Sequence, residues 1–142
     1  MIKITGFEHI SIGAKDTEPS ASVLGLFGIK PLYGEDIHPH GVTTTYYEHE
    51  DNENTRVRFE IIRPVSEDAP LRKFLEKRGP GIHHICMQVE DLEDARQQIK
   101  GAGGELVEPV FDDSRGRHVF VHPSFTGGFL LGLIELHPGQ KP

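Results

Sequence analysis

The feature that most constrains the fold is an internal repeat whose two copies lie 75 residues apart. The segment from Gly6 to Asp16 corresponds without a gap to the segment from Gly81 to Asp91, and both carry a histidine at the same place, His9 and His84. A repeat of this length indicates a duplicated supersecondary unit that cannot bury its hydrophobic face alone. The sequence therefore predicts two similar modules that share one core.

The pattern of strands and helices is the same in both copies. Residues 7–14 alternate as a strand does, while Leu92, Ala95 and Ile99 have the spacing of one helix face, which Asp91 can cap. Taken along the chain, such patterns predict β-α-β-β-β twice. The predicted fold class is α+β, with two βαβββ modules forming one curved eight-stranded mixed sheet, helices outside and a metal-binding cleft on the concave face.

The predicted domain organisation is a single domain over residues 1–142. Its first module covers 1–64 and its second covers 81–138, with a connector at 65–80 that contains a short helix. Polar loops are predicted at 34–40 and at 111–116, where histidine, proline, glycine and acidic residues cluster.

Composition excludes several functional classes. A net charge of −7 and a pI near 5.7 argue against a nucleic-acid partner, which usually requires a basic face. No apolar run approaches the roughly 20 residues that span a bilayer, so no membrane association is expected. The single cysteine, Cys86, lies in an apolar strand and cannot form an internal disulfide, which favours a buried thiol in a cytoplasmic protein.

Four residues form the candidate site: His9, Glu60, His84 and Glu135. The two glutamates are also 75 residues apart, each near the end of the last strand of its module. Two neutral imidazoles and two carboxylates would neutralise a divalent ion, and the set suits Co, Ni, Zn, Mn or Fe without selecting one. His83 should point to the opposite side of the sheet from His84, towards a helix.

Three passages resemble a known family. They are Gly-Pro-Gly-Ile-His-His-Ile at 79–85, Arg-Gly-Arg-His-Val at 115–119 and His-Pro-Ser-Phe-Thr-Gly-Gly at 122–128. Together with the strand around His9, they resemble the vicinal oxygen chelate superfamily, which includes glyoxalase I, extradiol dioxygenases and bleomycin-resistance proteins. Within it, the likeness is strongest to the methylmalonyl-CoA epimerase branch.

The resemblance implies paired βαβββ modules with a divalent metal held by His9, Glu60 and His84. The family spacing after Thr-Gly-Gly places Gly132 where a fourth ligand is usual, whereas the internal repeat favours Glu135. A bulge at Gly132 would reconcile the two positions. Glu135 is therefore the predicted fourth ligand and the predicted catalytic residue.

The function that the resemblance implies is proton exchange at the carbon α to a CoA thioester, with a small-molecule acyl-CoA as substrate. One alternative is a glyoxalase I-like lyase that acts on a thiol adduct. Another is a binding module without chemistry. Ring-cleaving dioxygenase chemistry is less favoured, because the passages at 79–85 and 122–128 are typical of the thioester branch. Many related folds dimerise, and a homodimer is expected.

Overall fold

The computed structural model describes the whole chain, Met1–Pro142. The eight strands are β1 (Ile4–Gly13), β2 (Ile29–Ile37), β3 (Val42–His49), β4 (Arg58–Pro64), β5 (Gly81–Val89), β6 (Leu106–Asp112), β7 (Gly116–Val121) and β8 (Leu130–Leu136). The helices are α1 (Glu18–Leu26), α2 (Asn52–Thr55), α3 (Pro70–Arg78), α4 (Leu92–Gly101) and α5 (Pro123–Thr126), with a 3₁₀ turn at His38–His40. None of these helices has the length and apolar character needed to cross a membrane.

The eight strands form one mixed sheet in the order β2-β3-β4-β1-β5-β8-β7-β6. The first strand of each repeat pairs in parallel with the last, β1 with β4 and β5 with β8, while the remaining pairs within each repeat are antiparallel. The predicted α+β fold class, the eight-stranded mixed sheet and the twofold βαβββ order are thereby confirmed.

The chain divides into two compact units, His9–His83 on the one hand and Met1–Glu8 with His84–Pro142 on the other. Strand β1 contributes to both, since its first residues belong to one unit and its last residues to the other. This division follows contacts rather than chain order. The division does not test the prediction of two consecutive modules at 1–64 and 81–138, which remains a prediction.

The unit His9–His83 has its own apolar core. Leu24 from α1 packs there with Ile29, Tyr47 and Ile61 from three strands, and all four are buried. The ring of His83 lies against Phe74 of α3, with the ring centroids 4.9 Å apart and an interplanar angle of 79°. The prediction that His83 points towards a helix is confirmed.

Helix α4 anchors the core of the other unit. Asp91 is its N-cap, since the side chain accepts a hydrogen bond of 2.9 Å from the backbone N–H of Asp94. Leu92, Ala95 and Ile99 lie on one face of the helix and are buried, as their spacing predicts. They pack with the buried strand residues Val89, Val119, Val121 and Leu133.

A buried ionic network ties together distant parts of this same unit. The guanidinium of Arg115 donates from Nε to Glu8 Oε1 at 2.9 Å and from Nη2 to Glu8 Oε2 at 3.0 Å. Gln88 also donates to Glu8, and Arg115 donates to the side chain of Gln140 and the carbonyl of Lys141. Because Glu8 is 2% exposed and Arg115 8%, each charge depends on the other for compensation.

Two strands extend into stretches predicted as loops, so those two loop predictions are wrong in part. Strand β2 continues to Ile37 and β6 continues to Asp112. Both are edge strands of the sheet, and both pair across a register shift, between Pro31 and Tyr33 in β2 and between Val107 and Phe111 in β6. Edge strands tolerate polar residues and bulges, which is why a polar sequence conceals them.

Candidate metal centre

His9 and Glu60 lie next to each other in the unit His9–His83. His9 Nε2 is 2.8 Å from Glu60 Oε2, and the two residues are 2% and 6% exposed. The hydroxyl of Thr44 donates a 2.6 Å hydrogen bond to Glu60 Oε1. This bond fixes the carboxylate so that its other oxygen faces the imidazole.

The register of three neighbouring strands explains this placement. Glu60 of β4 is paired with Ser11 of β1 on one side and with Tyr46 of β3 on the other. Side chains of paired residues project on the same face of a sheet, and residues two apart in a strand share a face. His9, two residues before Ser11, therefore joins Glu60, and the ring of Tyr46 packs edge-on against His9 at 5.9 Å.

His84 occupies the corresponding place in β5. It is 7% exposed, and its ring lies edge-on to Phe120 of β7, with the centroids 4.9 Å apart and an interplanar angle of 76°. Each histidine of the repeat thus has an aromatic ring against it, which limits the orientations of the imidazole.

Ligand-capable atoms of His9, Glu60 and His84 all lie within 4.8 Å of one another. Metal-to-ligand distances of about 2.0–2.2 Å place the ligand atoms of one ion about 3.0–4.4 Å apart. The three residues therefore need a movement of less than about 1 Å to hold one ion, and two imidazoles with a carboxylate suit a first-row divalent metal. The donor set and its spacing fit the predicted metal.

The structure does not bring Glu135 into this group. Its Oε2 accepts a 2.7 Å hydrogen bond from the backbone N–H of Leu92, at the start of α4. Gly132, three residues earlier in β8, pairs with both Cys86 and Phe120 and shares their face, which is also the face of His84. Glu135 has the opposite parity in an unbroken strand, so the bulge that would have turned it towards His84 is absent.

The structural counterpart of Glu60 in the second repeat is therefore position 132. Glu60 pairs with the residue two after His9, and Gly132 pairs with the residue two after His84. Glu60 also pairs with the aromatic residue that packs on His9, and Gly132 with the one that packs on His84. The 75-residue offset holds for the first strands but not for the last ones, because the second repeat has three fewer residues between these positions.

Sequence reasoning missed the residues around the ligands. Thr44 and Tyr46 have the parity of Glu48 in β3, so all three lie on the face that carries Glu60. Glu48 forms an ion pair with its register partner Arg58, and their side chains are 19% and 11% exposed. The alternation of residues in β3 already shows that Thr44, Tyr46 and Glu48 share a face. Only the pairing of β3 with β4 shows that this is the face of Glu60.

A second buried ion pair, Asp113 with His118, lies in the unit that contains His84. Asp113 Oδ2 is 2.7 Å from His118 Nε2, and the ring of Phe111 stacks on His118 at 4.9 Å. Burial by itself raises the pKa of Asp113, but the hydrogen bond and charge of His118 and the N–H groups of Arg115 and Gly116 outweigh it, so this pKa is below its usual value.

This shift predicts a pH dependence of stability. Because the pKa of Asp113 is lower in the folded than in the unfolded chain, the ionised carboxylate stabilises the fold above about pH 4, and the contribution is lost as the pH falls through the lowered folded value. We expect Asp113→Asn to flatten the dependence of the unfolding free energy on pH below about 4. Urea unfolding of the variant and the wild type at several pH values measures this dependence. If the unfolding free energy of both changed equally with pH below about 4, the stabilising role of the Asp113 carboxylate would be contradicted.

Comparison with known proteins places this geometry in a family. A model of the glyoxalase/bleomycin resistance protein/dioxygenase superfamily matches residues 8–121. An ethylmalonyl-CoA/methylmalonyl-CoA epimerase of Cereibacter sphaeroides is 33% identical over 90% of this chain and 96% of its own length. The mitochondrial methylmalonyl-CoA epimerase of Homo sapiens is 30% identical over 89% of this chain and 72% of its own length.

Solved structures with the same fold include a methylmalonyl-CoA epimerase and a hypothetical protein. The crystal structure of methylmalonyl-CoA epimerase from Mycobacterium tuberculosis has a TM-score of 0.86 and 26% identity, covering 97% of this chain and 92% of the other. A hypothetical protein from Bacillus halodurans has a TM-score of 0.82 and 27% identity, with 96% and 97% of the two chains covered.

Proposed function

The chain belongs to the glyoxalase/bleomycin resistance/dioxygenase superfamily, and from this premise we propose that it is a metal-dependent epimerase of the methylmalonyl-CoA type. It exchanges the α proton of a CoA thioester. The observation that carries the proposal is the buried cluster of His9, Glu60 and His84, in a chain one-third identical to an epimerase of that type over nearly its whole length.

The three clustered side chains would hold the ion. A divalent ion bound there supplies Lewis-acid stabilisation for the negative charge that develops on a thioester oxygen when the α proton leaves. Co, Ni, Zn, Mn and Fe remain the candidate ions, because the donor set does not discriminate among them.

The neighbours of these ligands orient them. Thr44 holds one oxygen of Glu60 through its hydroxyl, while Tyr46 and Phe120 pack edge-on against the two imidazoles. Such outer contacts limit the rotation of the ligands and are worth roughly 10–100-fold in metal affinity when removed. The burial of all three ligands keeps water from the centre and strengthens electrostatic interactions there.

Glu48 is the proposed acceptor of the α proton. It lies two residues after Tyr46 in β3 and therefore on the same face of the strand. Tyr46 is itself paired with Glu60 of the neighbouring strand. Its partial exposure leaves it accessible to a small molecule, and Arg58 holds the carboxylate in one orientation. Side-chain carboxylates are common general bases, and Glu48 acts as one where a bound substrate brings its α carbon within hydrogen-bond reach.

Deuterium exchange tests the proposed function. With the ion supplied, the protein is expected to incorporate solvent deuterium at the α carbon of methylmalonyl-CoA, followed by NMR or mass spectrometry. Glu48→Gln should slow the exchange by about 10²-fold or more while the ion stays bound, since general bases contribute 10²–10⁴-fold. Absence of exchange in the metal-loaded wild type would refute the epimerase.

The second candidate is a binding module without chemistry. The position equivalent to Glu60 in the other repeat is a glycine, so one ligand of a fully symmetric site is missing. Tight binding of ion and acyl-CoA without exchange would favour this alternative. The glyoxalase-type lyase receives no specific support from the relatives.

Assembly and location also belong to the proposal. A homodimer is proposed on the strength of the resemblance alone, and a cytoplasmic location on the single cysteine, Cys86, which cannot form an internal disulfide. Light scattering of the purified protein distinguishes a dimer of about 32 kDa, twice the chain mass of 15.9 kDa, from a monomer.

A further inference from the structure

Inversion at the α carbon calls for two proton-transferring groups, because one group removes the proton from one face and another returns a proton to the opposite face. Glu48 is the proposed group of the first repeat and lies in its third strand, β3. In the second repeat, Gly132 at the position equivalent to Glu60 has no side chain that could give or take a proton. The second group is therefore to be found elsewhere on the face that carries His84.

Strand register defines which side chains share the face of His84. Paired residues project on the same side of a sheet, and so do residues two apart in a strand. The face includes His84, Cys86, Gln88, Gly132, Ile134, Phe120, His118 and Phe111. Three of these residues can titrate. His84 is a proposed ligand of the ion and Cys86 is 1% exposed, with its sulfur against Gly132, which leaves His118 for proton transfer.

The internal repeat places position 118 close to the ligands. Tyr46 and Phe120 are equivalent residues, since each packs on the histidine of its own repeat. Two residues earlier in each strand stand Thr44 and His118. Thr44 reaches a ligand from this position, because its hydroxyl donates a 2.6 Å hydrogen bond to Glu60. An imidazole at the equivalent position is longer than a hydroxyl and extends further over the face.

A row of aromatic contacts holds the ring of His118 on this face. Phe111 stacks on His118 at 4.9 Å with an interplanar angle of 12°, and its ring centroid is 6.0 Å from that of Phe120. Phe120 in turn lies edge-on to His84. His118 is 5% exposed and His84 is 7% exposed. The histidine thus stands among apolar rings that limit the access of water to a proton in transit.

Asp113 gives His118 the partner of an acid–base histidine. Its Oδ2 atom is 2.7 Å from Nε2 of the imidazole. Burial raises the pKa of Asp113, but the hydrogen bond and charge of His118 and two backbone N–H groups lower it by more, so the carboxylate is ionised at neutral pH. A carboxylate at one ring nitrogen fixes the tautomer and orientation of an imidazole. The other nitrogen, Nδ1, is then the one that can meet a substrate.

We propose that His118, oriented by Asp113, is the second proton-transfer group of the reaction. When Glu48 takes the proton, the α C–H bond breaks and its electron pair passes to the thioester oxygen. The electron pair then returns to form a C–H bond on the other face with the proton from Nδ1, which leaves His118 neutral and Glu48 protonated. The roles exchange in the opposite direction. This inference rests on the proposed function, since it takes α-proton transfer by Glu48 as its first half.

Solvent deuterium separates the two groups, because each of them serves one epimer. Co(II)-loaded His118→Gln in deuterated water receives each pure epimer of methylmalonyl-CoA, with label followed by mass spectrometry and inversion by polarimetry. We expect inversion to fall by about 10²-fold or more, the worth of a general acid or base. One epimer should still exchange its α proton through Glu48. Glu48→Gln should give the mirror pattern, with slowed exchange confined to the epimer that His118→Gln leaves active.

His137→Gln is the matched control. His137 is also paired with an aspartate through Nε2, at 3.2 Å from Asp112, but its side chain is 40% exposed, and the variant should keep the inversion and exchange of the wild type. Calorimetry should give His118→Gln the wild-type affinities for Co(II) and for methylmalonyl-CoA. A folded His118→Gln that inverts at the wild-type rate would overturn the proposal, and so would equal losses of exchange in the two epimers.

The wild type alone tests the proposal if His118→Gln does not fold. At low conversion in deuterated water, each molecule of the new epimer should carry solvent deuterium, because the proton that His118 returns is not the one that Glu48 removed. Retention of the original proton in the new epimer would mean that one group serves both faces, which overturns the proposal. A loaded wild type that exchanges no α proton would instead remove the proposed function.

Discussion

Replacing Glu60 with alanine is expected to remove the bound divalent ion and to abolish α-proton exchange. Glu60 is the one carboxylate of the buried three-residue cluster, so the variant leaves only two imidazoles to hold the ion. We expect the ion affinity to fall by at least about 100-fold, beyond the loss caused by removing an outer contact of a ligand. Exchange should fall by about 10³-fold or more, because Lewis-acid stabilisation is worth several kcal/mol. Elemental analysis after dialysis and deuterium exchange measure the two effects.

Glu135→Ala is the matched control for this experiment. Both glutamates lie in the last strand of their repeat, but Glu135 accepts from the N–H of Leu92 at the start of α4. Its removal should leave the ion bound and lower the unfolding free energy by about 1 kcal/mol, as the loss of a helix cap does. Loss of the ion from Glu135→Ala, with Glu60→Ala unaffected, would reverse the assignment of the two residues.

Replacing Arg115 with methionine is expected to have the largest effect on stability. The substitution leaves the carboxylate of Glu8, which is 2% exposed, without the two hydrogen bonds of the guanidinium. Breaking a buried pair by removing one partner costs about 3–5 kcal/mol. For a chain of this length that corresponds to a fall in Tm of roughly 10–15 °C, measured by calorimetry or circular dichroism.

Two further variants test the reason for that loss. Glu8→Met/Arg115→Met removes both charges and should regain much of the stability, since a buried pair can often be replaced by apolar residues at little cost. Lys30→Ala removes one partner of an ion pair whose side chains are 66% and 62% exposed and should leave Tm unchanged. If the double variant were no more stable than Arg115→Met, the loss would come from packing rather than from an uncompensated charge.

Most of the fold could be predicted because the repeat and the strand alternation are local signals. The copy of the His9 strand at His84 is ungapped, and the face of α4 can be recognised from Leu92, Ala95 and Ile99. The extensions of β2 and β6 could not be predicted. Their polar residues are compatible with a loop, and only pairing with β3 and β7 makes them strands.

Most of the candidate site could also be predicted from the sequence. His9, Glu60 and His84 can be singled out from the sequence, and the structure brings them together. The inclusion of Glu135 rests on a constant offset between the repeats, which fails where the second repeat is shorter. The residues that orient the ligands, Thr44 above all, could not be found, because a hydroxyl in a strand has no distinguishing neighbour until strands are paired.

The duplicated βαβββ order and the histidine at the same place in each copy follow from the amino-acid sequence, because both are visible in patterns of residues close together in the chain. The carboxylate that joins those histidines is known only once the strands are paired in the folded chain. Strand register sets the face on which a side chain projects, and a shift by an odd number of residues moves it to the other face. That register places Gly132 beside Cys86 and sends Glu135 to the first turn of α4.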